Sequence, residues 1–148
     1  MIELWHLPPE LAAAAWPDVA PLLAPAVAMA EGRHTLQTTL QRVQDGHMQA
    51  VVALSDARPI MACITQVALY PAQRWLQVPF CGGSRMREWL APLLETIDGL
   101  AYDNQCVGIE ISGRGGWERV LAPFGYVPNE NHHLLVKRLD SISMEEAA

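Results

Sequence analysis

The sequence predicts an α/β fold: a single domain in which a mixed, mostly antiparallel twisted sheet of about six to seven strands has helices on both faces. Three observations lead to this prediction. The chain has 148 residues, and 51% of them are hydrophobic, which is enough for one compact core. Apolar residues follow helical spacing near the N-terminus and form β-rich runs in the middle. A long amphipathic helix then separates the fourth predicted strand from the fifth, which is typical of a right-handed crossover.

The first part of the chain is predicted to hold one strand and two helices. "IELWHL", residues 2 to 7, is a short apolar run closed by two prolines, which is typical of a strand that ends in a turn. From Pro17 apolar residues recur at helical spacing and stop at Gly32. A second helix is predicted between Thr35, as its N-cap, and Gly46, as its stop.

Three β-rich runs follow, separated by turn residues. They cover residues 48 to 54, 60 to 70 and 74 to 80, with "SDARP" and "PAQ" between them. This spacing predicts an antiparallel meander. Ser84 is then expected to cap the long helix, whose apolar stripe runs from Met86 to Leu100.

The last part of the chain is predicted to contain two strands on either side of a short helix. In "CVGIEI", residues 106 to 111, alternation places the valine and isoleucines on one face and Glu110 on the other. "WERVLAPF" is the short helix, and "HLLVKRL", residues 133 to 139, is the last strand. Residues 140 to 148 form a polar tail that we expect to be loose unless a partner binds it.

Composition excludes several classes of function. A formal net charge of -6 argues against nucleic acid as a direct partner. Cys63, Cys81 and Cys106 are odd in number and lie in apolar surroundings, which favours a reducing compartment over a disulfide framework or a zinc site. The N-terminus lacks a basic leader, and prolines interrupt the alanine-rich stretch, so no membrane span is expected and the predicted location is the cytoplasm.

Two motifs carry a resemblance to a known family. The order of elements, the turn "FCGGSRMREWL" (80 to 90) before the long helix and the "FGY" that closes the short helix resemble the GNAT superfamily of acyl-CoA N-acyltransferases. This resemblance spans nearly the whole chain. "IEISGRGGWERVLAPFGYVP" is similar to the C-terminal half of small GNAT-like proteins of tailed phages and prophages.

The resemblance implies an acetyl-CoA site at this turn. In the family the fourth and fifth strands splay apart around the pantetheine arm, and the pyrophosphate binds amides at the start of the following helix. Gln77 and Gly82 match the outer positions of the family turn, whereas Phe80 falls on its middle glycine. The implied cofactor-binding set is Gln77, Gly82, Gly83, Ser84 and Arg85. The alternative is a purely structural turn with solvated arginines.

The residues at the family's catalytic positions differ further from the family pattern. Leu121 stands where the family commonly has the tyrosine that protonates the leaving thiolate, and Trp117 stands where a small residue packs against the cofactor. Glu110 is the candidate general base, because desolvation within a buried strand makes a carboxylate a better proton acceptor. The alternative is that Glu110 pairs with a basic neighbour such as Arg114 or Arg119.

Other candidate sites have simpler interpretations. Cys81 before the glycine pair is a possible nucleophile, but no motif supplies its histidine, so a structural thiol is favoured. His132 and His133 are adjacent, and adjacent residues of a strand point to opposite faces, so we do not expect them to share a metal ion and predict no metal site. Trp75 and Trp117 are interface anchors or core residues.

Two functions follow from the sequence. The first is a GNAT-fold protein of phage or prophage type with a degenerate acetyl-CoA site. It would act mainly through protein contacts, by self-association or with phage virion proteins, as a virion-associated or internal core component in the bacterial cytoplasm or within a phage particle. The alternative is an acetyl-CoA-dependent N-acetyltransferase acting on a small amine or a host protein.

Overall fold

The structure, a computed structural model, describes residues 1–112, 117–129 and 134–139 and confirms the predicted α/β fold. Within these residues seven strands form one mixed sheet and four segments are α-helical. The strands are β1 (Ile2–Leu7), β2 (Gln49–Ser55), β3 (Arg58–Leu69), β4 (Arg74–Gly83), β5 (Gly108–Ser112), β6 (Val127–Pro128) and β7 (Leu134–Arg138). The helices are α1 (Ala12–Ala28), α2 (Leu36–Gln44), α3 (Met86–Asp103) and α4 (Trp117–Leu121).

The strands are arranged in the order β1-β2-β3-β4-β5-β7-β6. β4 and β5 pair in parallel over Trp75 to Val78, while β1 with β2, β2 with β3, β5 with β7 and β6 with β7 are antiparallel. The long helix α3 lies between the two parallel strands in sequence, as a crossover requires. The next residue of β4 after the parallel pairing is Pro79, which has no amide hydrogen to donate.

Several element boundaries differ from the predicted ones. Helix α1 begins at Ala12, before the predicted start, and β4 continues as far as Gly83. Helix α3 begins at Met86, so Ser84 is not its N-cap residue, because Ser84 still pairs with β3 through its amide. The predicted Thr35 cap of α2 is confirmed by reciprocal hydrogen bonds between Thr35 and Thr38. Predictions for residues 113–116, for the histidine pair at 132–133 and for the tail at 140–148 lie outside the described residues.

Helix α1 contains three prolines, yet it remains helical over its whole length. Pro17, Pro21 and Pro25 recur every four residues on the exposed side. The carbonyl groups that they leave without an intrahelical donor therefore lie on a side where water can bind them. By length and composition alone, Pro9–Ala28 is the one candidate membrane span among the described residues, with a mean hydropathy of 1.4. Its apolar side packs into a protein core here.

Contacts divide the chain into two compact units. The first combines Met1–Gln66 with Phe80–Leu93, and the second combines Val67–Pro79 with Leu94–Ala148. The core of the first unit contains Trp16, Val19, Leu23, Val27, Val43, Met48, Val52, Ile64 and Phe80, among others. The most deeply buried side chains of the second unit include Leu76, Ile97, Ile109, Leu121 and Tyr126. β4 contributes residues to both units, so its two halves have different neighbours.

We predict that Gly82→Ala destabilises the protein. A Cβ at this position would lie 2.2 Å from the backbone oxygen of Leu22 in α1, so helix and strand would have to move apart. We expect a loss of about 1–3 kcal/mol in the free energy of unfolding, measured by urea denaturation. Gly99→Ala in α3 is the control, because its Cβ meets nothing within 4 Å and should gain up to ~1 kcal/mol. A Gly82→Ala protein as stable as wild type would contradict this contact.

Candidate functional site

The glycine turn at the end of β4 is held by backbone packing in the first unit. A Cβ on Gly83 would lie 2.3 Å from the oxygen of Ile60 and 2.6 Å from the Cα of Met61. The Ser84 amide donates to the Ile60 oxygen at 2.9 Å. Close packing against α1 and β3 thus requires glycine at positions 82 and 83. The Ser84 amide, which the resemblance implies for pyrophosphate binding, already has a protein acceptor.

Phe80, which falls on the middle glycine of the family pattern, has its side chain in the core of the first unit. Only 4% of the residue is exposed, and it packs in the cluster that α1 and α2 form against the sheet. Its ring meets the His34 ring edge-to-face, with centroids 5.5 Å apart. Phe80 therefore serves as a core residue of this unit.

Arg85 and Glu88 form an ion pair at the start of α3. Arg85 has a left-handed backbone (φ 61°), and its guanidinium binds both carboxylate oxygens of Glu88, with Nη2 to Oε1 at 2.7 Å. Nη1 also donates to the Ser55 hydroxyl at 2.9 Å. The hydrogen bonds and charge of Arg85 lower the pKa of the Glu88 carboxyl. Glu88 lies in the first turn of α3, so the helix dipole favours its negative charge as well.

Trp89 fixes the same turn from the helix side. Its indole Nε1 donates to the Ser84 carbonyl oxygen at 2.6 Å, and the ring is almost fully buried. Both backbone groups of Ser84 thus have protein partners, the amide with β3 and the carbonyl with α3. The backbone of the turn is fixed by contacts within the first unit.

A second polar group, which we name the Tyr70 cluster, lies in the second unit and consists of Tyr70, Gln77 and Glu110. Parallel pairing of β4 with β5 places Gln77 directly opposite Glu110. The Gln77 Nε2 donates to Glu110 Oε2 at 3.0 Å, and the Tyr70 hydroxyl donates to the same oxygen at 3.2 Å. Both donors are neutral side chains. Arg114 was considered as a basic partner of Glu110, and it lies outside the described residues.

The environment of Tyr70 favours its protonated form. Partial burial, the negative charge of Glu110 and the hydrogen bond to that carboxylate raise the pKa of the Tyr70 phenol, while the hydrogen bond with Gln77 acts in the opposite direction. Tyr70 is 47% exposed, whereas Glu110 is only 8% exposed. The cluster therefore pairs a buried proton acceptor with a hydroxyl that molecules in solution can reach.

Sequence reasoning found two members of the Tyr70 cluster but missed Tyr70. Glu110 was predicted as a base and Gln77 as a cofactor ligand, and the structure brings these two together. Tyr70 follows β3, where its amide donates to the Gln73 oxygen and closes the turn into β4. The available signal was a polar residue, Gln77 or Glu110, in each of two largely apolar strands, together with a tyrosine at the start of the turn before β4.

Residues of α4 and of the segment after it pack in the second unit. Leu121, at the position of the family tyrosine, is fully buried, and Trp117 is half-buried. Tyr126 is also buried and lies beneath the Lys137 ammonium, 5.6 Å from its ring centroid. An open cavity of about 730 Å³ beside α4 is lined by the described residues Glu118, Arg119, Val120 and Ala122. Among the described residues no group of three or more His, Cys, Asp or Glu side chains is placed to hold a metal ion.

Comparison with known proteins finds similarity in structure but not in sequence. No family profile and no curated protein matches the chain. A predicted acetyltransferase with acetyl-CoA from Clostridium acetobutylicum is 10% identical, with a TM-score of 0.66 over 88% of this chain and 92% of that one. A GNAT family acetyltransferase from Brucella melitensis in complex with acetyl-CoA is 14% identical, with a TM-score of 0.60 over 93% and 88%. An agmatine N-acetyltransferase mutant is 13% identical, with a TM-score of 0.69 over 93% and 99%. The chain therefore has the GNAT acetyltransferase fold.

We predict that Tyr70 makes stability fall at high pH. Its pKa in the folded protein is raised above the ordinary value of 10.0, so the folded state retains the proton that the unfolded chain loses. This contribution to stability is complete below pH 10.0 and is lost as pH rises through the folded-state pKa. Urea unfolding of wild type and Tyr70→Phe across this range should show a steeper fall for wild type. Parallel curves would mean that burial and Glu110 do not raise the pKa of Tyr70 in the folded protein.

Proposed function

We propose that this GNAT-fold protein has a degenerate acetyl-CoA site and acts mainly through protein contacts. The observation that carries the proposal is the ion pair of Arg85 with Glu88 in the first turn of α3. A pyrophosphate bound at the start of this helix would bring further negative charge close to the Glu88 carboxylate. The positive charge of Arg85, which was expected to attract it, is already paired with that carboxylate.

Backbone contacts of the turn support the same proposal. The Ser84 amide donates to Ile60 and cannot at the same time make an undistorted hydrogen bond to a phosphate. Leu121 has no proton to give to a leaving thiolate, and its side chain is fully buried. The Ser84 amide and the Leu121 side chain are thus unsuited to the roles that the resemblance implies for their positions.

The exposed edge of the sheet supports the proposed protein contacts. β1 is the first strand in the order, and edge strands offer unpaired backbone groups to a further strand. Trp5 on β1 is 54% exposed, and an exposed tryptophan is a favoured anchor in protein interfaces. We propose self-association or binding to phage virion proteins in a bacterial host or phage particle, a setting that rests on the resemblance of residues 109–128 to phage-type proteins.

A second candidate function, N-acetyl transfer to a small amine or a host protein, is favoured by the Tyr70 cluster. Acetyl-CoA would supply an activated acetyl group when bound. The Tyr70 hydroxyl hydrogen-bonds the Glu110 carboxylate. An amine that attacks the acetyl carbon would give its proton to Tyr70, which passes its own proton to Glu110, and the thiolate released as the C–S bond breaks would take a proton from solvent. Gln77 would hold the carboxylate in place through its hydrogen bond to Oε2.

We predict that wild-type protein gives no binding heat with acetyl-CoA up to about millimolar concentration in isothermal calorimetry. Glu88→Gln should bind measurably, because the substitution removes the competing negative charge and leaves Arg85 available to a phosphate. Glu95→Gln is the matched control: it removes the same charge from an exposed position farther along α3 and should behave as wild type. Micromolar binding by wild type would overturn the degenerate-site proposal.

If the second candidate is correct, activity will depend on Tyr70. Thiol release from acetyl-CoA should then occur with amines such as polyamines or with peptide N-termini, and Tyr70→Phe should lower its rate by about 10²-fold. Tyr102→Phe, at an exposed tyrosine of α3 outside the cluster, is the control and should keep the wild-type rate. An unchanged rate in Tyr70→Phe would exclude the proton relay, and no thiol release with any acceptor would count against the enzyme.

A further inference from the structure

Cys63 and Cys81 lie on the neighbouring strands β3 and β4 of the first unit, and neither has a role in the sites described above. Both are free thiols. Cys63 is fully buried, while Cys81 is partly exposed and directly precedes Gly82. A third free thiol, Cys106, belongs to the second unit and provides an internal reference.

Backbone contacts establish the register of these two strands. The Ser84 amide binds the Ile60 oxygen, and the Cβ position of Gly83 falls on the backbone of Met61. Gly83 therefore faces Met61 across the antiparallel pair. Two residues farther along each strand, Cys81 faces Cys63 on the same side of the sheet.

The pair occupies the kind of position where a cross-strand disulfide can form. Ser84 and Ile60 form a hydrogen-bonded pair, so the alternation of an antiparallel ladder makes Cys81 and Cys63 a non-hydrogen-bonded pair. Cα atoms of such pairs are about 4.5 Å apart, inside the range of about 4.4–6.8 Å that disulfides span. The two side chains also touch, since a hydrogen bond with Cys81, together with burial, raises the pKa of the Cys63 thiol.

We propose that Cys63 and Cys81 are an oxidation site that forms a reversible cross-strand disulfide by exchange with a low-molecular-weight disulfide of the glutathione type. The partly exposed Cys81 thiolate attacks one sulfur of the oxidant, the oxidant's S–S bond breaks, and one thiol leaves. Cys63 then releases its proton to solvent and attacks the Cys81 sulfur, and the second thiol leaves. The protein loses two hydrogens, and the oxidant is reduced to two thiols.

Burial sets the order of the two steps. Oxidant reaches Cys81 and not the fully buried Cys63, so the mixed disulfide forms on Cys81. Because Cys63 holds its proton to higher pH than an ordinary thiol, its attack is the slower step and should accelerate as pH rises. This chemistry requires neither acetyl-CoA nor the Tyr70 cluster.

Thiol counting in the intact protein tests the proposal. After incubation with oxidised glutathione, alkylation and mass spectrometry should show wild type with one remaining thiol, Cys106, and peptide mapping should recover Cys63 joined to Cys81. A reducing thiol should restore all three. Wild type that keeps three free thiols, or that accumulates glutathione on Cys81 without resolving it, would overturn the proposal.

Single substitutions separate the two roles. Cys63→Ser should stop at the mixed disulfide on Cys81, and Cys81→Ser should take up no glutathione at Cys63. Cys106→Ser, the matched control, should form the same Cys63 to Cys81 link as wild type. Modification of Cys63 in Cys81→Ser at the wild-type rate would overturn the assigned order, and if a variant fails to fold, the peptide map of wild type decides the matter alone.

Discussion

Backbone-to-backbone contact at the end of β4 is the constraint on which the rest of the first unit depends. Helix α1 approaches Gly82, and β3 approaches Gly83, more closely than any side chain would permit. Because the strand continues to pair through Ser84, the chain has one residue in which to turn before α3 begins. Arg85 makes that turn in a left-handed conformation, which brings its side chain to Glu88.

Much of the fold could be predicted from periodicity and turn residues, whereas the site could be predicted only in part. Apolar β-rich runs between turn residues marked the middle strands, alternation marked β5, and the Thr35 cap of α2 was visible as a local pattern. Ser84 was assigned to the helix because a serine before an amphipathic stripe is a common cap, and only the pairing with β3 shows otherwise. Non-local pairing has no local signal in a single chain, so the meeting of Gln77 with Glu110, and of both with Tyr70, could not be derived.

Two polar groups, the Arg85–Glu88 pair and the Tyr70 cluster, each meet an electrostatic requirement of the element that carries them. The start of α3 attracts an anion, and the chain supplies one of its own in Glu88. In β5 the Glu110 carboxylate lies within a mostly apolar strand, so hydrogen-bond donors must stabilise its negative charge. Neutral donors from β4 and from the turn before it meet that need, and one of them remains open to solvent. A fold shared with acetyltransferases thus carries local chemistry of its own.

The glycine pair at the end of β4 also bears on how relatives of this chain would diverge. Selection on packing alone would keep glycine at 82 in every descendant that retains α1 against the sheet, whether or not a nucleotide-bearing ligand is ever bound. A glycine kept at position 82 in all relatives would therefore reflect its close contact with α1 and not an inherited ligand-binding function. Gain or loss of a ligand would instead leave its trace in the paired charges at 85 and 88, whose side chains are partly exposed.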